Sequence, residues 1–198
     1  MIDLIFDTET TGKWDFKGTP TSEHQPHLVQ LAFELVEDDR VIQTFSSYVI
    51  PLIPVPKEST AIHGITDEAA REYGVKLETA IGMFKRAIAR ADNLVAHNLD
   101  FNLKVLARAF FLAGHTDPFH LPNPICTMKT ATPVLKLPSP NKPGSYKWPR
   151  LDEAYKALVD PVGFEGAHDA LVDVRACGKV LRALRGRGDT ILDHLAKV

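Results

Sequence analysis

Cysteine is scarce: the 198-residue chain holds two, Cys126 and Cys177. That count excludes a disulfide framework and a cysteine-rich zinc site, and it fits buried thiols in a reducing cytoplasm. Long apolar runs are lacking too. None approaches the roughly 20 residues of a membrane span, which excludes a membrane-embedded helix and a membrane partner. Excess positive charge is a third absence. Lys and Arg number 23 against 25 Asp and Glu, a net charge of −2 with a pI near 6.4, whereas proteins that coat long nucleic acids display a basic face and a high pI. There is no internal repeat and no low-complexity tract. A strand expected from residue 2 leaves no room for a signal peptide, so the expected location is cytoplasmic. With 44% hydrophobic residues the chain can build one good core and is short for two, so one domain is expected over residues 1–198.

What is present is a pair of carboxylates at the end of an apolar run. Met1-Ile2-Asp3-Leu4-Ile5-Phe6 leads into Asp7-Thr8-Glu9-Thr10-Thr11-Gly12. In a strand, residues i and i+2 share a face, so Asp7 and Glu9 project together, close enough to hold a divalent cation. Two carboxylates on one face repel each other unless a positive charge sits between them.

Far down the chain, Gly166-Ala167-His168-Asp169-Ala170-Leu171-Val172-Asp173 reads as a loop entering a helix. Asp169 suits the N-cap, and Ala170, Val174, Cys177 and Leu181 form an apolar stripe at helical spacing. His168 then precedes the first turn and Asp173 lies about one turn in, so both can face one cleft.

These segments resemble the DnaQ-like, or DEDDh, 3′–5′ exonucleases, the family of polymerase proofreading subunits and ribonuclease T. The resemblance rests on Phe6 to Gly12, on Ile62-His63-Gly64-Ile65-Thr66, on Val95-Ala96-His97-Asn98 with Phe101, and on His168 followed five positions later by Asp173. It implies a two-metal phosphodiesterase using Mg²⁺ or Mn²⁺. By resemblance, Asp7 bridges two ions, Glu9 and Asp173 help hold the ion carrying the attacking water, and His168 is the general base. Two cations roughly 3.5 to 4 Å apart can stabilise both the entering and the leaving oxygen at phosphorus. An imidazole, with an ordinary pKa near 6.5, suits proton removal around neutrality.

The chain departs from the family in its middle motif. The family writes His-Asn-x-x-Phe-Asp, whereas this chain reads His97-Asn98-Leu99-Asp100-Phe101-Asn102, so Asn102 stands where an acid is expected. A missing unit charge about 4 Å from a cation, at an effective dielectric near 20, costs roughly 4 kcal/mol per unit of cation charge. Asp100 is a substitute only if it is not opposed to position 102 around a helix, where the two would point about 200° apart. Three readings stay open: Asp100 is the working ligand, Asn102 is a weak ligand, or this copy is altered to trap substrate.

The expected architecture is an α/β, RNase H-like fold: a mixed sheet, antiparallel in its first three strands and then parallel, flanked by helices. Strands are expected over residues 2–7, 28–36, 41–50, 93–96 and 125–126, with a tight turn at Asp38-Asp39. Helices are expected from the N-cap Thr66, over 77–91, over 103–113 ended by Gly114, around 128–135, over 151–159, over 169–184 and over 190–198. Residues 138–149, with four prolines, read as a surface loop whose Lys142 and Lys147, with the adjoining Arg150, can approach a phosphate backbone.

Candidate substrate-binding residues are Thr10, Thr11, Gly12, His63, Ile65 and Asn98. The resemblance implies that the backbone at Thr10 and Thr11 approaches the terminal nucleotide while the His63-Gly64-Ile65 turn wedges beside its base. Phe101 is expected in the core, and Trp14 and Phe16 are candidate exposed aromatics. The expected partner is a single-stranded 3′ end, DNA rather than RNA, gripped over few nucleotides and hence with low processivity unless a partner such as a DNA polymerase tethers the chain. Two alternatives remain: RNA 3′-end trimming, and a weakly active or inactive module tethered to a polymerase.

Overall fold

A computed structural model describes residues 1–115 and 122–186; the helix expected over 190–198 lies outside them. Strand β1 (Ile2–Thr10) pairs antiparallel with β2 (Leu28–Glu37), and β2 pairs with β3 (Arg40–Tyr48) through a two-residue turn. Asp38 and Asp39 both take positive φ there, the left-handed conformation that matches hairpin twist and that aspartate tolerates better than most residues. Helices α1 (Lys57–His63), α2 (Asp67–Tyr73) and α3 (Leu77–Ile88) follow, then β4 (Asn93–Ala96), α4 (Leu99–Leu112), β5 (Asn123–Cys126), α5 (Thr127–Leu135), α6 (Leu151–Leu158) and α7 (Ala170–Arg185). The sheet order is β3-β2-β1-β4-β5, with β4 parallel to β1 and β5 parallel to β4.

Both faces of the sheet are covered, which is why β2 is buried from Leu28 through Leu35 rather than alternating. On one face, Leu4, Phe6, Leu31 and Phe33 pack against Ile81 and Phe84 of α3 and Leu106 and Phe110 of α4. On the other, Ile5, Ala32 and Val95 meet the expected stripe Ala170, Val174, Cys177 and Leu181. Gly178 lies within this contact; a Cβ there would come 3.1 Å from the Ile5 side chain, so the bare backbone lets α7 lie close on β1.

Two features of β1 make the site. Its parallel pairing with β4 covers only Asp3, Leu4 and Ile5, so Phe6 to Thr10 have no strand beside them on that edge. A register irregularity between Glu9 and Thr10 ends its ladder with β2, and such bulges redirect side chains at a strand's end. β4 meanwhile stops at Ala96 and turns through Asn98, in left-handed conformation, into α4. The carboxyl ends of parallel strands at such a divergence form a cleft.

Several boundaries differ from expectation. β1 runs to Thr10, α4 begins at Leu99, and α1 replaces the plain turn expected around His63. The signals for α1 were Pro56 before it and Gly64 after it, where glycine takes φ 75° as a left-handed helix stop.

Candidate active site

Asp7 and Glu9 lie on the α7 face of β1, opposite Ala32 and Gln30. α7 delivers its share through a clip. The Asp169 carboxylate accepts from the N–H groups of Leu171 and Val172 as the N-cap, and from Gln30 Nε2; Gln30 Oε1 accepts from Ala170 N–H. Gln30, 2% exposed, thus ties the start of α7 to β2 directly beside Glu9. Ahead of the cap His168 takes φ 70°, which turns its N–H onto Asp173 Oδ2 at 3.1 Å.

The result brings together residues about 160 positions apart. Single ligand atoms of Glu9, His168 and Asp173 all lie within 4.8 Å of one another. Burial first, and the Asp173 and Asp169 charges after it, push Glu9 from its ordinary 4.5 up to about 8. Asp173 rises to about 6 through burial, against the His168 N–H and the His168 charge, which lower it. Asp7 is raised well above the usual carboxylate range by burial, then by Glu9 and Asp173. One atom decides what this crowd fits. Asp173 Oδ1 is buried without any hydrogen-bond partner, and an orphaned carboxylate oxygen among mutually repelling carboxylates fits a hard divalent cation.

Asn102 and Asp100 separate here. Asp100 is more than half exposed and pairs with Lys129 at 2.7 Å, so it is not brought to the cluster; α4 begins at Leu99, and the helical turn sends position 100 to solvent when 102 faces inward. Asn102 is 2% exposed. Its Nδ2 donates to Asp7 Oδ1 at 3.2 Å and to the His97 carbonyl at 3.3 Å, while its Oδ1 accepts from the Thr8 hydroxyl. The His97 carbonyl accepts only, which fixes the amide orientation. Asn102 therefore presents a donor to Asp7 here, with its oxygen turned to Thr8.

Beside the carboxylates opens a cleft of about 500 Å³ lined by Glu9, Thr10, Thr11, Gly12, Lys13, Ile62, His63 and Phe101, among others. A Cβ built on Gly12 would meet nothing within 4 Å, so the backbone there faces open space. His63 joins the α1 corner to β1. Its Nε2–H donates to the Thr10 carbonyl at 3.3 Å and its Nδ1 accepts from Ile65 N–H, an arrangement that needs the neutral ring; burial, chiefly, holds its pKa down.

Two expected substrate contacts, Ile65 and Asn98, and one expected exposed aromatic, Trp14, are placed otherwise. Ile65 is 3% exposed and packs with Val29, Val55 and Ala70; the exposed apolar wall is Ile62, carried by the last turn of α1, a helix that the expected turn did not include. Asn98 is exposed at the α4 cap and does not line the cleft. Trp14 is buried, with Lys104 Nζ 5.9 Å from its ring, and only Phe16 is exposed. Phe101 packs on the core as expected but also lines the cleft. A second groove, about 390 Å³ between β3 and α7, carries arginines already paired: Arg175 with Glu34 and Arg185 with Asp3. No described helix is long and apolar enough to cross a membrane.

The sequence pattern of the exonuclease family matches residues 4–181. The chain is 30% identical over 193 residues to a DNA polymerase III subunit epsilon-like protein of Rhodobacter capsulatus, covering 94% of this chain and 25% of that protein. It is 30% identical over 190 residues to the DNA polymerase III subunit epsilon of Rickettsia prowazekii, covering 94% and 75%. In fold it is similar to E. coli exonuclease I in complex with a 5cy-dT13 oligonucleotide, with a TM-score of 0.77 at 20% identity over 98% of this chain and 43% of that one. The chain thus spans a quarter of the first relative and under half of the exonuclease I chain.

Proposed function

The chain belongs to the DnaQ-like 3′–5′ exonuclease family of the RNase H-like superfamily, and on that premise we propose that it removes nucleoside 5′-monophosphates from single-stranded 3′ ends, of DNA in preference to RNA. The observation that carries the reading is the close cluster of Glu9, His168 and Asp173, in which Asp173 Oδ1 has no hydrogen-bond partner, with Asp7 coupled by charge to Glu9 and Asp173. Asp7, Glu9 and Asp173 are the residues that would hold divalent cations, Mg²⁺ or Mn²⁺. Those ions supply positive charge for the reacting phosphate and for the oxygens entering and leaving phosphorus.

The side chains divide the remaining work. The terminal nucleotide lies in the cleft against the open backbone at Gly12, between Ile62 and Phe101, with Lys13 near its phosphate. Apolar walls accept any base, as a nuclease without sequence choice needs. His168 is exposed beside Glu9 and Asp173 and takes the proton as water oxygen bonds to phosphorus and the bond to the upstream 3′ oxygen breaks, that oxygen leaving as a hydroxyl with a proton from solvent. Asn102 holds Asp7 in place throughout. The similarity to epsilon subunits supports a DNA polymerase as the tethering partner.

The test is a divalent-metal assay on 5′-labelled single-stranded DNA and RNA of equal sequence, read as a ladder. Stepwise shortening of DNA, abolished by Asp7→Ala and by chelation, is expected. Undiminished activity of Asp7→Ala removes the metal reading, and shortening of RNA alone reverses the substrate assignment.

A further inference from the structure

The segment after β5 differs in charge from the rest of the chain. From Thr127 to Leu151 there is no acidic residue, yet Lys129, Lys136, Lys142, Lys147 and Arg150 fall there, in a protein whose net charge is −2. Three of the five are paired by acids outside that stretch: Lys129 by Asp100, Lys147 by Glu153 and Arg150 by Asp152. Lys136 and Lys142 are exposed and have no carboxylate partner among the described residues.

These residues belong to an ordered arm. Ser139 N–H donates to the Ser145 carbonyl, Lys147 N–H to Leu137, and Pro138 bridges Tyr146. From 145 to 150 exposure alternates, so Tyr146 and Trp148 stand on one side of an extended backbone, 49% and 63% exposed. The buried Pro149 fixes the arm. Its carbonyl accepts from His97 Nε2–H at 3.0 Å; burial, chiefly, holds the His97 pKa down, and in the neutral ring Nδ1 accepts from Thr127 Oγ1 at 2.9 Å. The His97 carbonyl, in turn, accepts from Asn102. The arm is therefore hung from the same end of the sheet as the carboxylates, through the residue next to the start of α4.

We propose that residues 136–150 form a landing surface for the single strand upstream of the cleft, with Tyr146 and Trp148 stacking on bases and Lys136 and Lys142 meeting phosphates. This rests on the exonuclease reading and adds to it the place where the uncleaved strand lies. Two adjacent aromatics flanked by unpaired cations match a strand's alternation of base and phosphate. The arm also gives the acidic chain a local grip that its net charge does not.

The test compares a dinucleotide, which fills the terminal cleft, with an oligothymidylate of about 16 residues, long enough to extend past it. The combined Tyr146→Ala and Trp148→Ala variant is expected to raise KM for the long strand about thirtyfold or more, with kcat and the dinucleotide KM unchanged. Because these side chains are exposed, folding is expected to persist, and a second variant, Lys136→Glu with Lys142→Glu, checks the phosphate contacts. It should lower the salt slope of long-strand binding by about 1.4, two phosphates at roughly 0.7 each. An equal KM rise on both substrates, or none on either, overturns the landing surface. If the parent protein releases nothing from either strand, the exonuclease reading fails by itself. The arm is then decided by tryptophan fluorescence in EDTA, as the difference between the parent and Trp148→Phe. Quenching of Trp148 by the oligothymidylate sustains the arm, whereas unquenched emission overturns it and leaves the surface to a protein partner.

Discussion

Replacing Asn102 by aspartate alters chemistry at the cluster with almost no change of volume, which makes it a sharp probe of what holds Asp7. In the parent protein the Asn102 amide donates to Asp7 and to the His97 carbonyl. A carboxylate at 102 removes both donors, and each buried acceptor left unpaired costs about 1–3 kcal/mol. It also faces Asp7 with a like charge, a repulsion of roughly 4 kcal/mol at about 4 Å and an effective dielectric near 20. Protonation of one carboxyl removes most of that repulsion and restores one donor, so one unpaired acceptor and the cost of protonation remain. The net loss is about 2–4 kcal/mol in EDTA, or roughly 5–15 °C in melting temperature for a chain of this size. Divalent cations reverse the sign, since the added charge binds them and binding to the native state stabilises by RT ln(1 + [L]/Kd). The assay is a pair of melts, EDTA against saturating Mn²⁺, beside the rate of mononucleotide release. Asn102→Asp is expected to melt lower without metal, to gain more from Mn²⁺ than the parent, and to release nucleotides faster. An unchanged melting temperature in EDTA, or equal Mn²⁺ gains in both proteins, would refute the reasoning.

Three other outcomes can be measured on the same protein. Asp100→Ala should leave nucleotide release unchanged and move stability by no more than about 0.5 kcal/mol, because its pair with Lys129 is exposed; a loss of activity would return Asp100 to the site. In metal-free protein, Glu9 has a folded pKa near 8 against an ordinary 4.5, so folding favours its protonated form. Stability should therefore fall as pH rises through that window, by at most about 1.4 kcal/mol per unit from this group, with the penalty complete above the folded value. Melts in EDTA at stepped pH that rise over the same range would contradict this, and Mn²⁺ should flatten the profile. Gln30→Leu should cost about 1–3 kcal/mol by removing the clip on Asp169 and Ala170. It should also weaken Mn²⁺ binding in titration calorimetry, and an unchanged affinity would show that α7 needs no tie to β2.

Local pattern carried much of the fold. The apolar run into Asp7, the Asp38-Asp39 turn, the Thr66 cap, which accepts from Ala69 N–H, and the α7 stripe with its Asp169 cap were all legible because each depends on neighbours within a few residues. So was the pairing of Asp7 with Glu9 on one face, a consequence of the two-residue period of a strand. What spacing could not supply was orientation at the element ends. Whether 100 or 102 faces Asp7 turns on the residue at which α4 begins, and that is set by Asn98 leaving β4 in left-handed conformation. The choice of Ile62 over Ile65 as the cleft's apolar wall depends on α1 forming, and on Val29, Val55 and Ala70 burying Ile65. Trp14 is inside because it joins the core cluster to which α4 contributes Val105, Leu106 and Phe110.

The sequence by itself determined the element types, α1 excepted, and the inventory of carboxylates, since hydrophobic period and caps are local. The tertiary structure alone decided which of those groups meet, because Gln30, Asp169 and the short β1–β4 pairing act across gaps of about 90 to 140 residues. It alone left Asp173 Oδ1 without a partner, since removing an atom from water takes the packing of all its neighbours.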